Sequence, residues 1–296
     1  MNFAPGTAFF SWRPAAWLRV AGADALNYLQ GQFTNDLREL GPDGAYGLWL
    51  NAKGKVVADS FVLPAPPVGN APSCWVGSYF SSAAAISARL ESCIVADDVT
   101  IEDGTAGWAA VTIFGPADRA ALRMAVPGSL VFAGRRDAAI HHEWVFPVAA
   151  LPAVQAALAG LVQLPETDVD LRRVRAGIAA VPVDLGEGDL PNEGGLEDVA
   201  ISYTKGCYLG QEVMARLKTM GQVRRRLLRV TGAGPVPALP ATVYAGDRAV
   251  GEVRSAVAVG GGCEGLALLT LLHLPADGRL SLAPGAPATL QCQLRP

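Results

Sequence analysis

The chain has 296 residues, of which 51% are apolar and 17% are charged, and its formal net charge is −3. This length favours two or three domains with cores of their own, and the composition excludes a long disordered tail or a small disulfide-stapled module. The small net charge gives no global reason to expect a nucleic-acid partner, so direct nucleic-acid binding is not expected.

The N-terminal residues and the longest uncharged stretch argue against secretion and membrane insertion. Arg13 and Pro14 interrupt the first apolar residues, and prolines break the uncharged segment 60–88 short of the ~20 apolar residues that a spanning helix needs. Five widely spaced cysteines suit a reducing compartment. We therefore expect a cytoplasmic protein without a membrane partner, and the three histidines lack the spacing of a structural metal site.

Two similar strand–turn–helix units lie about 93 residues apart in the chain. In the first, the strand Leu18–Val20 is followed by Asp24 as the predicted helix cap and by Gly31 as the predicted helix end. In the second, the strand Val111–Phe114 leads to a helix that begins after Asp118. This repetition predicts a duplicated α+β fold.

The chain after Gly221 has a different texture, with short strand-like runs separated by Gly and Pro. The runs are 223–230, 241–244, 249–255 and 266–272, and they predict an all-β tail that forms a small barrel. We predict an α+β region over 1–222, made of two related subdomains over 1–100 and 101–222. The predicted C-terminal β-barrel domain covers 223–296.

Three motifs have ordinary structural interpretations. The glycines of 260–265 match a dinucleotide-binding pattern but lie between strand-like runs, so we interpret them as a hairpin turn. The segment His141–Glu143 lacks a nucleophile nearby and is interpreted as a strand start with solvent-facing histidines. A basic tract could be an anion patch or solvated charge, and both interpretations remain open. It comprises Arg216, Lys218, Arg224, Arg225, Arg226 and Arg229.

The segment 205–212 differs from these motifs. Gly206 and Gly210 permit tight turns around Cys207, and the helical spacing of 213–217 places this cysteine just before a helix. Free amides at a helix start favour a thiolate, and Lys205 can add a positive charge. A lone cysteine is ordinarily a small buried hydrophobe, but these neighbours predict an exposed, reactive thiol. We take Cys207 and Lys205 as candidate catalytic residues.

This octapeptide resembles the signature of the YgfZ family, in which Lys-Gly-Cys-Tyr is followed by one variable residue and then Gly-Gln-Glu. Every fixed position is present: Lys205, Gly206, Cys207, Tyr208, Gly210, Gln211 and Glu212. Further blocks that resemble the family run from about residue 18 to residue 270. The likeness therefore covers most of the chain.

The resemblance implies the fold of glycine-cleavage aminomethyltransferases, in which a duplicated folate-binding α+β part and a C-terminal β-barrel surround an opening for tetrahydrofolate or a one-carbon derivative. It also implies a tetrahydrofolate-binding accessory protein that supports assembly or repair of iron–sulfur enzymes, including tRNA-modifying ones, through Cys207. Iron–sulfur proteins or their assembly factors would be the partners. The candidate folate contacts are Trp17, Asp59, Arg175 and Glu193.

Two departures from the aminomethyltransferase pattern keep alternatives open. Ala58-Asp59 stands where the transferases have paired acids, so a single carboxylate remains. Arg175 stands where relatives have a glutamate for the pterin edge, and an arginine cannot accept those hydrogen bonds. One alternative is a folate-dependent aminomethyl or one-carbon transferase of the glycine-cleavage T-protein type that uses Asp59. Another is a scaffold without ligand.

Overall fold

The computed structural model describes residues 3–293 and divides their strands among three sheets. The strands are β1 (Ala8–Trp12), β2 (Ala16–Ala21), β3 (Ala45–Leu50), β4 (Val56–Val68), β5 (Ala71–Ser78), β6 (Thr100–Asp103), β7 (Trp108–Phe114), β8 (Leu130–Ala133), β9 (His141–Pro147), β10 (Val162–Gln163), β11 (Arg225–Gly232), β12 (Ala241–Ala245), β13 (Arg248–Val259), β14 (Gly262–Thr270), β15 (Arg279–Leu280) and β16 (Leu290–Cys292). The α-helices are α1 (Ala25–Gln32), α2 (Ala83–Glu91), α3 (Arg119–Ala125), α4 (Leu151–Ala157), α5 (Glu166–Ala176) and α6 (Gln211–Met220).

The first two sheets are built alike, with five strands each and two helices packed on each. Their strand orders are β3-β4-β5-β2-β6 and β10-β1-β7-β9-β8. Leu29 of α1 and Ile86 of α2 pack into the core of the first sheet, and Leu122 of α3 and Val154 of α4 do the same for the second. This repetition confirms the duplicated α+β part.

One strand crosses the predicted boundary at residue 100. Strand β1 belongs to the second sheet, where Ala8 lies opposite Phe114 of β7 and pairs in parallel with Val162 of β10. The two sheets are therefore tied by the start of the chain as well as by their packing. The division into 1–100 and 101–222 stays a prediction, and β1 lies before residue 100 although it pairs with strands of the second sheet.

A cluster rich in aromatic side chains fills the space between the two sheets. Trp17 and Phe61 of the first sheet and Phe132 and Val145 of the second are buried in it, together with Tyr79. The rings of Phe61 and Phe132 lie 5.0 Å apart between centroids. Large rings bury much apolar area each, so this cluster holds the two sheets face to face.

The third sheet has the order β12-β13-β14-β11-β16-β15. Tyr244 of β12 and Ser281, next to β15, exchange two backbone hydrogen bonds of 2.9 Å, which bring the two edges of the sheet together. The result is the nearly closed C-terminal barrel that the strand-like runs predict. Gly260 and Gly261 form its β13–β14 hairpin turn with φ of +54° and +86°, as we interpreted the glycine motif.

The first predicted helix cap is wrong, whereas the second is present. The Asp24 carboxylate accepts a hydrogen bond from the Asp98 amide at 2.9 Å instead of capping α1, and the helix continues through Gly31. A tertiary contact has taken the group that a local cap would use. In the second unit, Asp118 accepts hydrogen bonds from the amides of Ala120 and Ala121.

The predicted solvent-facing histidines are also wrong for His141, which begins β9 but is buried. Its Nε2 accepts a hydrogen bond from the Arg136 amide at 2.9 Å. The neighbouring Glu143 is fully buried and accepts hydrogen bonds from Trp12 at 3.1 Å and from Tyr79 at 2.7 Å. The segment 141–143 thus serves the core, because the turn around Arg136 folds back over it.

Glu143 forms a buried ion pair with Arg136, at 3.7 Å between Nε and Oε1. The guanidinium lies over the ring of Tyr79, 4.1 Å from its centroid, and both charged groups are buried, so removal of the carboxylate leaves a buried cation without its partner. We expect Glu143→Ala to lower the free energy of unfolding by about 3–5 kcal/mol, measured by denaturant titration. The exposed Glu102→Ala is the control, and a loss below about 1 kcal/mol for Glu143→Ala would contradict the interpretation.

Candidate functional site

Cys207 lies in the loop that precedes α6, and its side chain is exposed. The residues that flank the exposed pair Gly206 and Cys207 are buried: Lys205 is 5% exposed and Tyr208 is 6% exposed. The loop is therefore held on both sides of the thiol. This arrangement presents one sulfur at the surface on an otherwise fixed segment.

The ammonium of Lys205 is the first anchor of this loop. Its Nζ donates to the backbone carbonyls of Gln30, Phe33 and Asn35 at 2.6, 2.6 and 2.9 Å. These carbonyls lie at and just beyond the C-terminal end of α1, where free carbonyls and the helix dipole favour a cation. Burial lowers the pKa of Lys205 to about 8, so at pH 7 the group keeps the third proton that its three acceptors require.

These contacts give Lys205 a positioning role. A lysine has three N–H donors, and all three are used by the end of α1. The predicted role of Lys205, a charge that favours the thiolate of Cys207, therefore gains no support from the geometry. The sequence places Lys205 two residues from Cys207, but the fold turns its side chain into the junction with α1.

The second anchor combines Tyr208 and Gly210. Tyr208 packs into the core with Met214 of α6. Gly210 has φ of +87°, and a Cβ there would lie 2.9 Å from the carbonyl oxygen of Asn51 in the β3–β4 turn. Only glycine fits this position. By contrast, a Cβ at Gly206 would meet no atom within 4 Å, so Gly206 is not needed for the close packing of the loop.

Helix α6 begins at Gln211, just after the thiol, as its spacing predicts. Gly210 provides no side-chain cap for the first turn, and the Gln211 amide donates back to the carbonyl of Tyr208 at 3.2 Å. Glu212 is exposed in this first turn and adds a negative charge to it. The reactive thiolate expected from the sequence stays a prediction.

The predicted folate contacts lie in separate surroundings. Trp17 is 1% exposed, and its ring lies against those of Trp75 and Trp108 in the aromatic cluster between the sheets. Glu193 is buried and accepts hydrogen bonds from Arg225 of the barrel at 2.8 and 2.9 Å. Neither residue is available to a pterin ring: the flat face of Trp17 is covered, and the Glu193 carboxylate is paired.

Asp59 is likewise engaged inside the first sheet. It is 4% exposed, and its carboxylate accepts hydrogen bonds from Tyr46 at 3.0 Å and from Ser78 and Ser81 at 2.7 Å each. Burial raises the pKa of Asp59, and the three hydroxyl donors oppose that shift. The carboxyl group therefore links parts of the first sheet through hydrogen bonds and is shielded from solvent.

Arg175 lies at the junction of α5 and the barrel. Its guanidinium donates to both carboxylate oxygens of Glu264, with the shortest contact at 2.6 Å. A cavity of about 530 Å³ lies beside it, and a second lining arginine, Arg172, is paired with Asp137 at 2.8 Å. Both arginines of this cavity are thus neutralised by acids. The four residues predicted to hold tetrahydrofolate do not fit that group, because each is covered, paired or fully hydrogen-bonded.

The basic tract divides into paired and unpaired cations. Arg225 is paired with Glu193 and Asp189, and Arg226 with Glu197. Arg229 lies 3.5 Å from Glu264. Arg225 and Arg226 therefore attach the barrel to the rest of the chain, whereas Arg229 and Glu264 pair within the barrel. The interpretation of the whole tract as one anion patch is wrong for this half of it.

The junction of the barrel with α5 was missed by sequence reasoning. Asp184 is fully buried and accepts hydrogen bonds from Arg173 of α5 at 2.6 Å and from Ser255 of β13 at 2.7 Å. Arg254 of β13 contacts Asp189 at 3.1 Å. The signal available in the sequence was a group of acidic residues in the segment 184–197 together with an excess of basic residues in the barrel. Their pairing required the three-dimensional arrangement.

Over residues 3–293, no group of three or more His, Cys, Asp or Glu side chains is placed to hold a metal ion. None of the helices in that range has the length and apolar character needed to cross a bilayer.

Comparison with known structures identifies the fold. The glycine cleavage system aminomethyltransferase T from Bartonella henselae matches with a TM-score of 0.77 over 97% of this chain and 85% of that protein, at 15% identity. A domain family described as CAF17, C-terminal beta-barrel domain, matches residues 224–293. The chain is thus a protein of the aminomethyltransferase-like fold with a C-terminal barrel.

Sequence relatives identify the family. The mitochondrial iron-sulfur cluster assembly factor IBA57 from Mus musculus is 30% identical over 292 residues, 90% of this chain and 79% of that protein. The tRNA-modifying protein YgfZ from Sodalis glossinidius is 27% identical over 248 residues, 75% of this chain and 70% of that protein. Three fungal IBA57 homologues are longer, and the chain spans 53–59% of their lengths. The chain belongs to the IBA57 and YgfZ family.

The different surroundings of the cysteines predict selective alkylation. Burial raises the pKa of Cys74 and of Cys292 to about 11 each, so both thiols stay protonated and shielded at pH 7.5. We expect iodoacetamide to label Cys207 at least about tenfold faster than these two in the folded chain, because the thiolate is the nucleophile. Peptide mass spectrometry measures the rates. A Cys207 that reacts only after denaturation would contradict the exposed loop.

Removal of the Lys205 ammonium tests the first anchor. Lys205→Met keeps most of the side-chain volume but leaves three buried carbonyls without their donor, so we expect the free energy of unfolding to fall by about 2 kcal/mol. Lys53→Met, at an exposed lysine, is the matched control and should change stability little. Denaturant titration measures both. Equal stability of the two variants would show that Lys205 does not hold the loop.

Proposed function

We propose that this chain supports the assembly or repair of iron–sulfur clusters in client proteins through the thiol of Cys207. The observation that carries the proposal is the exposure of Cys207 between two buried anchors. The name of the mouse relative, an iron-sulfur cluster assembly factor, supports this role. The Sodalis relative is named as a tRNA-modifying protein. Iron–sulfur proteins or their assembly factors are the partners that this role implies.

The chemistry available at the site is that of a single sulfur. A cysteine thiolate binds iron or attacks a disulfide, and an iron–sulfur cluster is held by about four ligands. Within residues 3–293 no further group of His, Cys, Asp or Glu is placed to complete such a set. In this proposal Cys207 contributes one ligand or one nucleophile, and the client supplies the remaining ligands of the cluster.

Tetrahydrofolate has a different standing in this proposal. The resemblance and the aminomethyltransferase-like fold suggest it, but the residues predicted for its site are occupied by the chain's own contacts. Binding of tetrahydrofolate or a one-carbon derivative stays a prediction, and the proposed role of Cys207 does not depend on it. The transferase alternative loses its reactive group, because Asp59 is buried and bound by three hydroxyls.

The cellular compartment also stays a prediction. The sequence predicts a cytoplasmic protein, whereas the mouse and fungal relatives are named as mitochondrial proteins. The bacterial relative from Sodalis carries no such designation. The proposed role requires a reducing compartment with iron–sulfur clients, and both locations meet that requirement.

Replacement of the sulfur tests the proposed function. We expect Cys207→Ser to lower the activity of iron–sulfur enzymes at least about tenfold in a strain lacking this protein, because a hydroxyl is a far weaker ligand and nucleophile than a thiolate. The melting temperature should be nearly unchanged, since the side chain is exposed. Cys93→Ser, at the half-buried cysteine that follows α2, is the control that should retain activity. Full activity of Cys207→Ser would refute the proposal.

A further inference from the structure

A groove of about 930 Å³ lies between the end of α6 and the barrel. Its main lining residues come from the connection into β11, from β11 itself and from the end of β14; they are Val223, Arg224, Arg226, Leu228, Leu271 and Leu272. The Leu271 amide donates to the carbonyl of Arg224 at 2.9 Å, which joins the two walls. The groove is therefore part of the folded barrel edge.

The groove has an apolar base and an exposed apolar rim. Leu228 is buried at its base, Leu271 is 40% exposed and Leu272 is 84% exposed. Two adjacent exposed leucines beside a groove leave apolar surface in water, at about 25 cal/mol per Å². Contiguous exposed apolar surface of this kind is typical of a binding face.

Exposed cations lie at the rim of this groove and on the neighbouring helix α6, and one of them, Lys218, lies over the ring of Tyr203, 3.8 Å from its centroid. Arg224 at the rim and Arg216 and Lys218 on α6 are exposed. Within residues 3–293, no carboxylate lies within 4 Å of these three cations. The chain as a whole has a net charge of −3, so this surplus is local. A ligand that complements it is acidic.

The groove and the thiol lie at opposite ends of one helix. Cys207 precedes the first turn of α6, and Gly221, which follows the last turn, lines the groove. Ten helical residues span about 15 Å. A protein interface of ordinary size, about 800 Å² per partner, is wide enough to span this distance.

We propose that this groove binds an acidic segment of the client or assembly factor that is served by Cys207, with one or two apolar side chains inserted beside Leu228, Leu271 and Leu272. The segment's carboxylates pair with Arg224 and with the cations of α6. This inference rests on the proposed function and adds the surface that recognises the partner. The groove supplies affinity, and the helix sets the distance from the bound segment to the thiol.

The chemistry of the groove favours a protein segment over a nucleic acid. Proteins that bind single-stranded nucleic acids stack bases on aromatic side chains. The apolar side chains that line this groove are leucine and valine, and none of its lining residues is aromatic. Exposed leucines gain nothing from a phosphate backbone. An apolar anchor flanked by acids uses both features of the surface.

A labelled peptide tests this assignment with the full chain. The probe is a fluorescein-labelled 12-residue peptide of alternating Leu and Glu, and its twin has Lys in place of Glu. We expect fluorescence anisotropy to show saturable binding of the Glu peptide alone. Leu272→Asp and Arg224→Glu should each weaken it at least tenfold, and about 0.5 M salt should reduce the effect of Arg224→Glu because exposed charges are screened.

Matched controls lie outside the groove. Val95→Asp replaces an apolar side chain that is 92% exposed, and Arg279→Glu reverses an exposed charge on β15; both should bind the Glu peptide like the parent. In a strain lacking the protein, Leu272→Asp should lower iron–sulfur enzyme activity while Cys207 still alkylates at the parent rate. Slow alkylation of the buried Cys74 and Cys292 in the same sample shows that the variant is folded.

Several outcomes would overturn the groove assignment. They are unchanged peptide affinity in Leu272→Asp, equal binding of the Lys twin, competition by a uridine oligonucleotide, or a parent dimer that Leu272→Asp dissociates. Cys207→Ser separates this inference from the proposed function, because it should bind the Glu peptide normally. If Cys207→Ser supports iron–sulfur enzymes fully, the proposed function fails while the peptide measurements still decide what the groove binds.

Discussion

A buried ammonium group determines where the cysteine loop lies. Lys205 satisfies three carbonyls at the end of α1, and these carbonyls would otherwise be buried acceptors without donors. The contact joins two segments that are about 170 residues apart in the chain. Tyr208 packs in the core on the other side of the thiol. Because both neighbours are fixed, Cys207 is held at the surface.

The same rule, that a buried charge requires a partner, governs the attachment of the barrel. Arg225 meets Glu193 and Arg254 meets Asp189 across the junction, and Asp184, which is paired with Arg173, also accepts a hydrogen bond from Ser255 of the barrel. Removing one member of such a pair leaves an uncompensated charge away from water, which is costly. Glu193 therefore has a structural role in its pair with Arg225, and Arg175 has one in its pair with Glu264. The polar groups that the aminomethyltransferase resemblance assigns to a ligand therefore hold this chain's own parts together.

What remains free after this pairing defines the functional surface. The exposed thiol lies at the start of α6, and the unpaired cations and exposed leucines lie along and after it. In the proposed function the two features are complementary: the sulfur acts on a cluster while the groove holds the client nearby. Their common support is a helix that is itself fixed at Gly210 by the β3–β4 turn.

The sequence by itself determined the elements with a local cause. Alternating strands and Gly/Pro turns predicted the barrel, the repeated strand–turn–helix unit predicted the duplication, and the glycine-flanked Cys207 predicted an exposed thiol before a helix. Only the tertiary structure decided which charges meet. Lys205 and Glu193 have partners far along the chain, and Asp24 is drawn from its helix to the Asp98 amide. Periodicity and local propensity report short-range backbone preferences, whereas ion pairs and buried hydrogen bonds depend on the proximity that only folding creates.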